Sequence, residues 1–187
     1  MADTIKRDRR SPGRLEWSIN RDGTDVTVSV TVHGVGEEGG FQPVDVLAAA
    51  GSDTVLGAVS KRLRDVIEIA APVAGTLAVR GFTAPHQDGP PVTFALTVSL
   101  GHVSDPDADA ADGRNVEVFD LPCGPGIRIH RIKEVGKGQL VWPVFTSTYL
   151  AQTAAGVLAL AFATPHLDSA LEFSALFDAI ASTCMIS

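Results

Sequence analysis

The chain has 187 residues, 45% hydrophobic and 20% charged, enough for one sizeable core and far from a disordered composition. Its formal net charge of −7 and pI near 5.1 argue against a nucleic-acid binder, which needs a basic face to displace counterions. Two cysteines, Cys123 and Cys184, cannot form the dense framework of a small secreted scaffold, and the most apolar run, Gly156 to Ala163, is too short to cross a bilayer. The basic start, with Lys6, Arg7, Arg9 and Arg10, is not followed by an apolar stretch. It therefore reads as a mobile basic tail over residues 1–13 rather than a signal peptide, and the expected location is the cytoplasm.

The first regular element is a hairpin. Leu15, Trp17 and Ile19 alternate with polar residues, and so do Val26, Val28, Val30 and Val32. Asp22-Gly23 between them suits a two-residue turn. That turn sets Ile19 opposite Val26, Trp17 opposite Val28 and Leu15 opposite Val30, all on one face. Then comes a glycine-rich segment, 34–40. Residues 43–50 have the composition of a short helix. A longer helix is expected from Asp53 to Ala70, because Leu56, Val59, Leu63, Val66, Ile67 and Ala70 share one face. Two alternating runs, 76–82 and 91–100, read as antiparallel neighbours. After an acidic loop over 105–113, four strands follow in quick succession and suggest a meander. The last of these, around 157–163, is apolar on both faces and so belongs in the middle of a sheet. A closing helix over 169–184 carries Phe173, Leu176, Phe177, Ile180 and Cys184 in one stripe, with Ser169 and Glu172 at capping-box spacing.

No motif in this order carries clear chemistry. Gly34, Gly36 and Gly39 fit a dinucleotide glycine pattern, but Glu37 and Glu38 would repel phosphate and Pro43 delays any helix. Asp105, Asp107, Asp109 and Asp112 resemble a calcium loop, yet Ala110 and Val116 stand where that loop needs Gly and Glu. Cys123 reads as a partly exposed turn thiol and Cys184 as a packing residue. His33, His86, His102, His130 and His166 have no zinc-helix spacing, and His130 is expected to share an outward face with Arg128. No catalytic, cofactor-binding or metal-binding residue is assigned, and catalysis is left open because carboxylates can converge from distant positions.

The segments DGPPVTFALTVS and VFDLPCGPGIRIHR, with the stretch from Tyr149 through Pro165 to Phe173, Phe177 and Ile180, resemble uncharacterised actinobacterial proteins of similar length. Their plan is similar to the LpqN-type lipoproteins and the wider PsbP-like sandwich, including its Ran-binding nuclear-import relative. The lipid-attachment cysteine of the lipoproteins has no counterpart in this sequence. The resemblance implies an α+β fold, a mostly antiparallel sheet with helices packed on both faces, in a single domain over residues 14–187. It also implies a non-catalytic role in binding another protein, as an adaptor or chaperone linked to specialised secretion. Two alternatives stand beside it. One is an immunity-type protein whose acidic surface covers a basic toxin. The other is a small-molecule binder or enzyme that uses the space between sheet and helices. No nucleic-acid or membrane partner is expected.

Overall fold

The computed structural model describes residues 6–7, 13–21, 24–44, 61, 76–86, 91–101, 116–137 and 140–187. The strands are β1 (Lys6–Arg7), β2 (Arg14–Arg21), β3 (Thr24–Thr31), β4 (Gln42–Val44), β5 (Thr76–Ala84) and β6 (Val92–Gly101). They continue with β7 (Val116–Val118), β8 (Gly126–Lys137), β9 (Leu140–Thr153), β10 (Gly156–Thr164) and β11 (Met185–Ile186). Helix α1 (Ala170–Ala181), entered through a 3₁₀ turn at Leu167–Ser169, lies between β10 and β11.

The strands form two sheets, and every described pairing is antiparallel. The small sheet has the order β1-β2-β3-β11, and the large sheet β4-β5-β6-β10-β9-β8-β7. The hairpin register follows from the alternation of its residues: Leu15 opposes Val30, Trp17 opposes Val28 and Ile19 opposes Val26. β7 to β10 make the expected meander, and β5 pairs with β6. β10 sits between β6 and β9, and its buried residues Leu158 to Thr164 alternate between the two faces, as its double-sided apolarity requires.

One hydrophobic cluster joins the two sheets and the helix. Val26, Val28 and Val30 from β3 and Trp17 from β2 enter it from the small sheet. Phe82, Phe94, Leu96, Leu160, Phe162 and Tyr149 enter it from the large sheet, and Phe173, Phe177 and Ile180 from α1. All eight phenylalanines and the single tyrosine fall into one connected set of ring contacts. A chain poor in aromatics has therefore concentrated them where sheet and helix meet.

This arrangement overturns the expected α+β sandwich with helices on both faces. The described fold is mostly antiparallel β-sheet with a single short helix. The physical reason lies in the first hairpin. Its period-two apolar face covers the large sheet, so a second sheet occupies much of the layer that was assigned to helices. Residues 43–44, placed at the start of a short helix, are instead extended and pair with β5. Of the helix expected over 53–70, Lys61 is helical and the other residues lie outside those described, as do residues 45–50, the Asp22-Gly23 turn and the acidic loop over 105–113. Lys6 and Arg7, in the basic start, pair with Glu16 and Leu15 of β2.

The closing helix ends at Ala181, so Cys184 lies past it, just before β11. Ser169 occupies the N-cap with φ −109° and ψ 23° and makes no side-chain capping bond. The incoming 3₁₀ turn bends the backbone away from the extended geometry in which a serine reaches the N3 amide, so the capping box does not close. Among the described residues no helix is long and apolar enough to cross a membrane.

Candidate functional site

Strand register assembles a polar cluster on the face of the large sheet that α1 covers. Arg128 of β8 stands between Glu117 on β7 and Tyr149 on β9, and His130 stands opposite Ser147. Period two puts all five side chains on one face. The helix contributes Asp178, one residue after the buried Phe177. Arg128 Nη1 donates to Asp178 Oδ2 and Nη2 donates to Glu117 Oε2. Tyr149 Oη donates to Asp178 Oδ1 at 2.6 Å. The guanidinium also lies 5.4 Å from the Phe119 ring centre, and that ring meets Tyr149 edge-on at 5.1 Å.

The electrostatics explain why these residues are held together. Asp178 lies in the last turns of a helix, where the macrodipole opposes a negative charge and where α1 has no basic residue of its own. Arg128 supplies that cation from the sheet. Its hydrogen bond to Asp178 raises its own pKa, with Glu117 adding to the effect against partial burial. Burial raises the Tyr149 phenol, and the bond to Asp178 acts in the same direction. Burial lowers His130, and the charge of Arg128 lowers it further, while Asp178 and Glu117 pull the other way. His130 therefore resists protonation beside a charged arginine.

A lowered histidine pKa has a defined consequence for stability. Below the ordinary value of 6.5 the unfolded chain binds a proton at His130 that the folded chain resists, so stability falls as pH drops through that window. Wild type is expected to lose more stability between pH 7.5 and 5.5 than His130→Gln, by urea titration at each pH. Equal losses would show that His130 titrates as it does in the unfolded chain.

The cluster does not assemble as acid–base machinery. Ser147 is fully buried, and no hydrogen bond joins its Oγ to His130 Nε2. A serine nucleophile needs its base within hydrogen-bond reach and an open approach for substrate. What the arrangement does is fasten the helix to three adjacent strands.

The other candidates fall elsewhere. Gly34, Gly36 and Gly39 take φ between 75° and 82° in a turn that leads into β4 and not into a helix, so they serve the backbone and present no helix N-terminus to a phosphate. His33 and His86 are exposed, and His102 and the Asp105 to Asp112 loop lie outside the described residues. His166 Nε2 accepts the Thr93 backbone N–H at 3.0 Å. Among the described residues no group of three or more His, Cys, Asp or Glu side chains converges as metal ligands do. His130 and Arg128 share a face as expected, but it is the covered face and not an outward one.

Two features escaped the sequence reading. Glu117, Arg128, Tyr149 and Asp178 carry no motif, and the available signals were weak: Arg128 between Ile127 and Ile129, and a lone tyrosine in an alternating strand. The second is the meeting of Cys123 with Cys184, whose Sγ atoms are 3.9 Å apart.

A different feature of the same strand faces outward. Phe119 N–H donates to Gly126 O on the β7 side, whereas Arg131 O accepts from Thr146 Oγ1 on the β9 side. Backbone groups alternate in direction along a strand, so His130, Ile132, Glu134 and Gly136 aim their N–H and C=O away from β9. β7 covers β8 only as far as Ile129, and no strand among the described residues pairs with β8 beyond it. Ile132 is 64% exposed on this edge. Val141, 48% exposed, and the exposed Pro143 stand on the same face of the β8–β9 ribbon. Pro143 opposes Glu134, so its missing N–H is one that would have pointed away from β8, past the end of β10, and the ladder loses no bond. Comparison with protein-family models, with curated proteins and with solved structures found no match to this chain.

Proposed function

We propose that this chain is a protein-binding accessory protein that takes up an extended segment of its partner along the outer edge of β8. The observation that carries this reading is the outward row of backbone groups at His130, Ile132 and Glu134 beside an exposed apolar side chain. A strand added there gains main-chain hydrogen bonds, and its alternate side chains rest on Ile132, Val141 and Pro143. Lys133 and Glu134 flank the site, and charges of this kind discourage pairing between copies of the same edge.

Ile132→Pro tests the reading, because the N–H it removes points outward and not into the β8–β9 ladder. Peptides selected from a displayed random library on the wild-type chain should be extended, with apolar residues at alternate positions. Ile132→Pro should weaken them by about tenfold or more, since each lost main-chain bond is worth about 1 kcal/mol and the ring also blocks strand approach. Its melting temperature should stay close to wild type. Selected peptides that bind Ile132→Pro as tightly as wild type would place binding elsewhere.

A further inference from the structure

We propose that Cys123 and Cys184 are the two halves of a reversible disulfide that latches the C-terminal strand to the large sheet. The two thiols are 61 residues apart in sequence, and their Sγ atoms stand 3.9 Å from each other. Each is held on a short, fixed piece of backbone. Cys123 lies in a tight turn closed by reciprocal bonds of 3.0 Å between Leu121 and Gly124. Gly124 takes φ +155°, and a Cβ on it would come within 2.2 Å of Gln152 O, so this turn accepts little rebuilding. Cys184 N–H donates to Ala181 O at 3.0 Å. Its neighbour Thr183 accepts the Thr31 N–H at 2.7 Å, and Ser187 and Thr27 exchange backbone bonds of 2.7 and 3.0 Å. The thiols must close from 3.9 Å to the roughly 2.05 Å of a disulfide, and both are carried on backbone fixed by hydrogen bonds.

The two sites divide the chemistry between them. Cys123 is half-buried and reachable from solvent, while Cys184 is fully buried. The contact with the Cys184 sulfur, helped by a backbone hydrogen bond, holds Cys123 below the ordinary thiol pKa against its burial. The same pairing, with burial, holds Cys184 above it. The oxidant is a hydroperoxide. The Cys123 thiolate attacks its outer oxygen, the O–O bond breaks, and the alkoxide leaves with a proton as an alcohol, or as water from hydrogen peroxide. Cys184 sulfur then attacks the resulting sulfenic sulfur. The S–O bond breaks, and hydroxide takes the Cys184 proton and leaves as water. Two thiols and one peroxide become one disulfide, one alcohol and one water. The bond ties the β7–β8 turn to the segment that joins α1 to β11, and so ties the large sheet to the small one.

The test uses the whole reduced chain, hydrogen peroxide and intact-mass measurement. Wild type should lose about 2 Da, block both thiols and return to its starting mass with a dithiol reductant. The oxidised chain should melt higher by roughly 5–15 °C, from the loop that the bond closes. Cys184→Ser should stop with oxygen added at Cys123, and Cys123→Ser should stay at its starting mass under the same peroxide. Oxygen added to wild type without the 2 Da loss, a disulfide between two chains, no reaction in excess peroxide, or a lower melting temperature on oxidation would each overturn the latch. The wild-type masses decide the matter even if a serine variant fails to fold.

Discussion

Phe177→Asp is expected to abolish folding, leaving a chain without near-UV dichroism or a cooperative urea transition. Phe177 is fully buried. Its ring stacks on Phe162 at 4.6 Å and meets Phe94 at 5.4 Å and Phe173 at 5.5 Å. A carboxyl group placed among the Phe94, Phe162 and Phe173 rings is buried without a partner there, and that penalty added to the lost ring is comparable with a domain's net stability. The milder Phe177→Ala removes the ring and leaves a cavity, at about 3–5 kcal/mol. That loss should appear as a lower urea midpoint with an unchanged slope. A soluble Phe177→Asp chain with a native spectrum would show that the helix is not part of the core.

Asp178→Ala should cost about 2–4 kcal/mol, because one cut takes a partner from two groups at once. Arg128 would keep its charge with its side chain only 18% exposed, and the hydroxyl of the fully buried Tyr149 would lose its acceptor. Glu117 bonds the same arginine but is 61% exposed, so Glu117→Ala should cost less than about 1 kcal/mol. A double-mutant cycle with Tyr149→Phe should show that the Asp178 and Tyr149 losses are not additive. Equal small costs for Asp178→Ala and Glu117→Ala would mean that the network does not hold the helix to the sheet.

These two residues are adjacent in sequence, yet only one was legible there. The stripe through Phe173, Phe177 and Ile180 marks a buried face, because a period of 3.6 reports burial directly. The same logic gave the hairpin register, since a two-residue turn leaves one alignment in which Leu15, Trp17 and Ile19 all meet valines. It also placed the 157–163 run in the centre of a sheet. Periodicity says that a face is covered but not by what. The face of the large sheet expected to lie under helices is therefore shared by one helix and a second sheet. Asp178 was silent for a related reason. Its partners Arg128 and Tyr149 lie 50 and 29 residues away and meet it only through strand register. Cys123 and Cys184 are hidden in the same way. The capping box at Ser169 and Glu172 misled because spacing alone does not fix the backbone angle of the cap.

The edge of β8 beyond Ile129, with which no strand among the described residues pairs, is the centre of the functional reading, and amide hydrogen exchange tests it residue by residue. In the free chain the outward amides of Ile132 and Glu134 should exchange fast, while the inward amides of Arg131 and Lys133 stay protected by β9. A selected peptide in excess should slow Ile132 and Glu134 and leave their inward neighbours unchanged. Protection at Ile132 and Glu134 in the free chain, or no change on adding the peptide, would contradict strand addition at this edge.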